Sequence, residues 1–277
     1  MAAHARVLDR RRFEHRHAGG PRDAVLRALD AHREEDGGMA MLEPDIRAPD
    51  SQPACALYAL EILEEVDGGR EPLTAGILDW LEGVTGPEGG VPFVLPSAAG
   101  WPHAPWFAPA DGAPASLLMT AGLASIALRL GVEHPWLDGA VRFCWERLAA
   151  PEELDPYTLR YALRFLDAVA DRARAEAVLD MLAGRVPPSG RLTVAAGTEG
   201  ESLRPTDVIT RPDHAAARLY PAGVLERDVD ALAAEQHEDG GWTFTWAAWN
   251  PTAAWEWRGI VTLEALAVLE AFGRPIR

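Results

Sequence analysis

The sequence predicts an all-α fold of stacked helical hairpins, and three observations carry that reading. Apolar residues recur at helical spacing along most of the 277 residues, and no segment sustains the alternation of a strand. Glycine and proline interrupt this pattern at regular places. The interruptions also resemble one another, which marks a repeated two-helix unit of about 50 residues.

Taken in order, helices are expected over 21–35, 52–66, 73–84, 114–130 and 135–149. They continue over 156–170, 172–182, 213–220, 224–236 and 251–272. Pro53, Pro72, Pro135, Pro156 and Pro251 each fall at or near a predicted start, where the missing proline N–H is one that no helix would bond. Residues 1–20 read as an N-terminal extension and a candidate extra helix.

The breaks align as follows. Arg33-Glu-Glu-Asp-Gly-Gly-Met39 precedes the helix over 52–66, and Gly86-Pro-Glu-Gly-Gly-Val91-Pro-Phe93 precedes that over 114–130. Pro187-Pro-Ser-Gly190-Arg-Leu192 precedes the segment near Asp213, and Gln236-His-Glu-Asp-Gly-Gly-Trp242 precedes the last helix. One beat is missing near 150, where Ala149-Ala-Pro-Glu-Glu-Leu-Asp155 joins two helices without glycine. A hairpin of this kind cannot bury both faces alone, so hairpins stack. Five or six of them close into an α/α toroid spanning 1–277 as a single domain, with one helix of each pair inside and one outside. The ring takes a sixth unit, if it has one, from the N-terminus or from a second chain in a homodimer. The helices over 52–66, 114–130 and 251–272 begin with small, uncharged or aromatic residues and read as inner.

Composition narrows the chemistry. The net charge of −16 repels nucleic acid and anionic membrane surfaces, so neither is an expected partner. Every basic residue is arginine, which removes Schiff-base and P-loop lysine chemistry. An anionic substrate such as a diphosphate needs a local arginine cluster, or Mg²⁺ brought with it; no other cofactor is implied. Cys55 and Cys144 lie in apolar helical patterns and read as buried hydrophobes, and no metal-ligand spacing is present. No apolar run approaches the roughly 20 residues of a membrane span. The first residues are charged with no apolar segment behind them, so no signal peptide is expected and a cytoplasmic protein is the default.

A helix ending in Gln, a short turn, Gly-x-Trp and then an inner helix resembles the QW repeat of terpenoid cyclases and of protein prenyltransferase beta subunits. Gln236-His-Glu-Asp-Gly240-Gly-Trp242 carries the likeness, and the upstream breaks keep the glycines with Met39, Phe93 or Leu192 in place of the aromatic. The resemblance implies an α/α toroid, with Gln236 and Trp242 as struts and with function at the starts of inner helices. It also implies an isoprenoid or other apolar natural-product substrate. The Asp-x-Asp-Asp acid of class II cyclases is absent, and Asp228-Val-Asp230 is only a fragment on an outer helix. The zinc set of farnesyltransferases is missing beside Asp50 and Cys55, as is the thioester motif.

The candidate acid–base residues are Asp50, Asp155, Asp213 and His214, each at the start of a helix expected inside. Asp50 and Asp155 are equally good N-caps, whereas adjacent Asp213 and His214 suit an acid–base pair. A carboxylic acid held protonated by an apolar pocket is the general acid such a site needs. Substrate-binding candidates are aromatic: Trp101, His103, Trp106 and Phe107 in one long loop, Trp246, Trp249, Trp255 and Trp257 in the last unit, and Tyr157. Indole faces bind apolar chains, cations and sugar rings alike. Arg258 is the nearby anchor for a carboxylate or phosphate, or else one half of a surface ion pair. The expectation is therefore a non-canonical terpenoid cyclase or prenyltransferase acting in a tryptophan-lined cavity. A non-catalytic toroid that binds an apolar ligand or a protein, and a carbohydrate-active α/α barrel, are the alternatives.

Overall fold

The computed structural model describes residues 5–149, 154–195 and 197–276. Most of the glycine-free junction at 149–155 and the start of the extension lie outside these residues. The architecture is all-α, with eleven α-helices and one two-stranded hairpin among the described residues. It divides into two compact units, residues 11–152 and residues 153–277 with 1–10, and each is described by itself.

The first unit contains α2 (Arg22–Asp30), α3 (Pro53–Glu65), α4 (Pro72–Val84), α5 (Leu117–Arg129) and α6 (Pro135–Leu148). Helix α3 packs on α5, α4 on α6, and α5 on α6, which makes two layers. The layer expected to be inner is the buried one, since nearly all of α3 from Pro53 to Leu63 and all of α5 from Met119 to Ala127 are out of solvent. Alternate faces of α4 and α6 stay wet.

The second unit contains α7 (Pro156–Ala168), α8 (Arg172–Leu182), β1 (Leu192–Thr193) paired with β2 (Ser202–Leu203), α9 (Pro205–Val208), α10 (Val224–Ala234) and α11 (Pro251–Ala271). The helix expected over 213–220 is only a 3-10 segment at Ala215–Leu219. Pro221 holds Tyr220 before it in extended backbone, with ψ at 137°, which stops the segment short. The β-hairpin escaped notice because two residues per strand cannot display alternation. The N-terminal extension forms α1 (Val7–His17), a helix too rich in charge to show an apolar period.

The repeat is real at the level of hydrogen bonds. In each break, the N–H of a glycine donates to the carbonyl three residues back: Gly37 to Glu34, Gly89 to Gly86, Gly190 to Pro187 and Gly240 to His237. All four glycines have positive φ, between 75° and 89°, the region open to glycine at no steric cost. Three turns close with a second bond, to the carbonyls of Gly38, Gly90 and Gly241. The third lacks it because Pro187 has no N–H. In that turn Gly190 matches Gly37, Gly89 and Gly240, and Arg191 takes the place of the second glycine.

Gln236 and Trp242, expected as struts, bond within their own turn and to the helix just before it. Gln236 Nε2 donates to the Gly240 carbonyl (3.0 Å), and the buried Trp242 donates through Nε1 to Leu232 at the end of α10 (2.8 Å). The residue after the turn is then tied to a threonine of the next α-helix, near the start of α5 at Thr120 and midway along α11 at Thr262. Val91 N donates to Thr120 Oγ1 (2.8 Å) and Trp242 N to Thr262 Oγ1 (3.1 Å). Each threonine hydroxyl in turn donates to the carbonyl four residues before it.

Candidate active site

Helix α7 carries the densest chemistry in the second unit. Pro156 opens it, and Asp155 caps it by accepting from Tyr157 N (3.0 Å) and Thr158 N (3.1 Å). Asp155 is therefore an N-cap with its carboxylate engaged. Leu159, Ala162, Leu163, Phe165 and Leu166 bury one side. Tyr157, Arg160, Tyr161 and Arg164 fall at i, i+3, i+4 and i+7 on another. The guanidinium carbons of Arg160 and Arg164 lie 5.6 and 5.3 Å from the Tyr161 ring centroid, so one aromatic ring is flanked by two cations. Arg160 also faces Glu264 of α11 at 3.9 Å.

At the N-terminal end of this face stands Asp207, the third residue of α9. Its Oδ2 accepts from Arg204 N (2.7 Å), closing the turn that starts the short helix. Burial pushes its carboxyl up from the usual carboxylate range, against the downward pull of Arg160, the Arg204 amide and the Arg204 charge. Tyr157 and Tyr220 share this environment. Burial raises both phenols, Tyr157 further through its hydrogen bond to Glu201 (2.8 Å), Tyr220 further through the charges of Asp207 and Asp228. The Tyr220 hydroxyl is buried with no hydrogen-bond partner among the described residues. Asp207 was absent from the acid–base residues expected from sequence. No motif marks it, because its carboxyl is shifted by burial and by charges on two other segments, Arg160 of α7 and Asp228 of α10.

At the other end of α7, His214 meets an acid, but not its neighbour in sequence. Its Nε2 lies 3.8 Å from Asp167 Oδ2, and Asp167 also accepts from the Ala215 amide (2.9 Å). Burial lowers the imidazole pKa, Asp167 raises it, and Arg211 and Arg164 lower it, with a net fall that favours the neutral ring. Asp213 points into solvent and pairs with Arg211 (3.1 Å). Although desolvation acts upward on it, the hydrogen bond and charge of Arg211 hold its carboxyl below the ordinary value. The expected Asp213–His214 pair is thus replaced by Asp167–His214.

The tryptophans of the last unit cluster in part. Trp246 packs edge-on against Trp257 (5.3 Å, 89°) and leans on Phe244 (4.8 Å). Trp249 is partly buried and Trp255 half exposed. Arg258 does not offer a free cation, because it pairs with Asp239 of the preceding turn (2.6 Å), lowering that carboxyl. Asp228, on α10, is buried and clasped by Arg204 (3.0 Å), Thr206 N (2.9 Å) and Thr206 Oγ1 (2.8 Å), so it is structural.

In the first unit the long aromatic loop folds onto the loop before α3. Ile46 and His103 form a bridge, Arg47 N donates to Pro102 O (2.9 Å), and Ala104 N donates to Asp45 O (2.7 Å). The His103 ring engages the Ala104 carbonyl (2.8 Å), and Phe107 stacks on Phe93 (5.0 Å). Trp101 and Trp106 stay half exposed, with Trp106 Nε1 donating to the buried Asp45 (3.1 Å). Asp45 and Glu43, 3% and 8% exposed, are further acids that the sequence reading passed over. Their signal was present in Glu43-Pro-Asp45 ahead of an inner helix. Asp50 is exposed, and the N-cap of α3 is Gln52, so the capping role expected of Asp50 is not realised. Gln52 instead staples the loop, binding Ser97 Oγ (3.0 Å) and the Leu95 amide (3.0 Å). Among the described residues no group of three His, Cys, Asp or Glu side chains is placed to hold a metal ion.

No family model matches the chain, and no curated protein does. Among solved structures it is similar to a protein from Actinoplanes at 17% identity and a TM-score of 0.60, over 96% of this chain and 88% of that one. It is also similar to the type II terpene cyclase MstE from Scytonema. One structure of that enzyme, a variant in complex with geranylgeranyl dihydroxybenzoate, aligns at 13% identity and a TM-score of 0.52, over 95% of this chain and 86% of that one. Its apo form aligns at 14% identity and a TM-score of 0.50, over 89% and 80%. At such identities the likeness is one of fold: this chain has a terpene cyclase-like, all-α architecture.

Proposed function

We propose that this protein is a terpenoid cyclase-like enzyme that acts on an isoprenoid chain bearing an anionic head group, with Asp207 as general acid. The observation that carries the reading is the buried Asp207 carboxyl, pushed toward its neutral form beside the two-arginine, two-tyrosine face of α7. Protonating an alkene requires an acid that is still protonated near neutral pH, and burial is the usual way to keep a carboxyl so. The Asp207 O–H would give its proton to the terminal double bond, forming a tertiary carbocation. Internal double bonds then attack in turn, and loss of a proton from carbon ends the sequence with no change in mass. Aromatic faces such as Tyr161, Trp246 and Trp257 suit a moving positive charge. Arg160 and Arg164 suit a carboxylate or diphosphate that anchors the chain. The fold likeness to a cyclase crystallised with a prenylated dihydroxybenzoate supports that substrate class.

The test is incubation with geranylgeranyl dihydroxybenzoate and with geranylgeranyl diphosphate, followed by chromatography and mass spectrometry. A product of unchanged mass and altered retention is expected, and it should vanish with Asp207→Asn while ligand binding persists. The hydrogen bond from Arg204 N to Asp207 favours a second reading, in which the carboxylate only caps α9 and the protein binds such ligands without converting them. Binding with no isomeric product would select that reading. Neither binding nor product would overturn both.

A further inference from the structure

We infer that the third repeat turn of this protein is a binding site for a small oxyanion, a phosphate or a carboxylate, held by Arg191 and Arg227. The inference comes from comparing the four turns at the position before the positive-φ glycine. Three carry an acid there, and each acid is used. Asp36 accepts from Gly38 N (3.0 Å), Ser51 Oγ (2.6 Å) and Trp80 Nε1 (2.9 Å). Glu88 pairs with Arg147 (3.0 Å), and Asp239 with Gly241 N (3.2 Å) and Arg258 (2.6 Å). The third turn has Ser189 instead, which accepts from Arg191 N (3.3 Å), and Arg191 stands where the other turns have glycine. One negative charge of the repeat is therefore missing, and one positive charge is added.

Beside that turn lies a surface pocket of about 210 Å³, lined by Ser189, Arg191, Val224, Arg227 and Asp228 among others. The charges around it do not cancel internally. The acids of α10 are fully engaged: Arg204 takes Asp228 (3.0 Å) and Glu235 (2.5 Å), while Arg274 takes Glu226 (2.6 Å) and Asp230 (2.8 Å). Arg227, on the same helix, and Arg191 have no carboxylate partner among the described residues. A guanidinium Nη1 of Arg227 reaches back to within about 3.0 Å of where a Cβ on Gly223 would stand, over the first turn of α10. That helix starts at Gly223 without any side-chain cap, so its first amides add to the positive field. Two unpaired arginines, a hydroxyl and a helix start around one concavity make a natural cradle for an oxyanion. The ligand takes the place of the carboxylate that the other three turns supply from their own sequence.

The test is thermal unfolding at constant ionic strength, with chloride exchanged for inorganic phosphate or for succinate. At ten times its dissociation constant, the favoured anion should raise Tm by roughly 3 °C. Arg191→Gln and Arg227→Gln, both at exposed positions, should each reduce that rise at least by half. Ser189→Asp restores the acid of the repeat, so it should raise Tm without added anion and abolish the response to it. A larger response to phosphate than to succinate assigns a phosphate group, and the reverse a carboxylate. The inference fails if neither anion exceeds chloride, or if all three variants respond like the parent.

Discussion

Protonating a carbon–carbon double bond places one demand on a side chain: it must hold its proton in a site that also admits an apolar chain. Burial moves the Asp207 carboxyl in that direction, against the nearby charges of Arg160 and Arg204. The sign of its effect on stability follows. A carboxyl whose folded pKa is raised favours the folded state only when protonated, so its contribution is fully present below the unfolded value of about 3.9 and is lost as pH rises through the folded value. Asp207→Asn keeps an oxygen for the Arg204 amide but cannot ionise. The variant should therefore gain on the parent in urea-unfolding free energy as pH increases from about 4 to 8, and the gain should shrink toward acid. A gap that widens toward acid would show that the native fold favours the carboxylate, and Asp207 would lose its claim as an acid. In activity, the parent's kcat/KM should fall on the alkaline side as Asp207 ionises, and the Asn variant should lose at least about 10³-fold, the scale of removing a general acid. None of this was legible from neighbours in sequence. Arg160 and Asp228, whose charges act on Asp207 from outside its own segment, come from α7 and from α10. The same holds for His214, whose acid is Asp167, 47 positions upstream by numbering (214 − 167), whereas adjacent Asp213 faces solvent.

The repeat turns were legible because their requirement is local: a residue at φ near +80° selects glycine whatever surrounds it. Their tertiary use differs from turn to turn, and that difference can be measured. A Cβ on Gly89 would stand 2.6 Å from the carbonyl oxygen of Gly139, in the backbone of α6, while on Gly240 its nearest neighbour would be Gln236 Nε2 at 4.0 Å. Gly240→Ala should thus cost only the left-handed backbone strain, about 1–2 kcal/mol. Gly89→Ala adds a collision with a helix backbone that cannot swing away, so it should cost about 1–3 kcal/mol more. Urea unfolding of the two variants checks the order, and equal losses would mean that α6 yields easily. Gly37 repeats the arrangement more loosely, with Gly76 O at 3.2 Å, so α4 and α6 each present a glycine to the turn before them. That pairing has no sequence signature beyond an isolated glycine inside a helix. The register of the third turn is hidden in the sequence for a related reason. A glycine pair marks the other three, but Gly190 is followed by Arg191, and only the hydrogen bond to Pro187 shows which glycine of a pair it matches.

Net charge acts on the molecule as a whole and gives a test that depends on no single residue. At −16 the protein repels an approaching anion beyond the reach of any local arginine, and salt screens that repulsion over a Debye length of about 10 Å at 0.1 M. Close contacts of the bound anion with Arg160 and Arg164 would be weakened by the same salt, so the two effects oppose each other in different steps. Association is governed by the long-range field, whereas retention is governed by the local pair. With an anionic isoprenoid, kcat/KM should accordingly rise as sodium chloride increases from about 20 to 200 mM, and kcat at saturation should stay nearly flat. A neutral prenyl alcohol run in parallel should show no salt dependence in either constant. If kcat/KM for the anionic substrate fell with salt instead, the local guanidinium pair would be steering as well as holding the head group. Equal behaviour of the charged and neutral substrates would mean that the head group meets neither field, and that the chain alone decides binding.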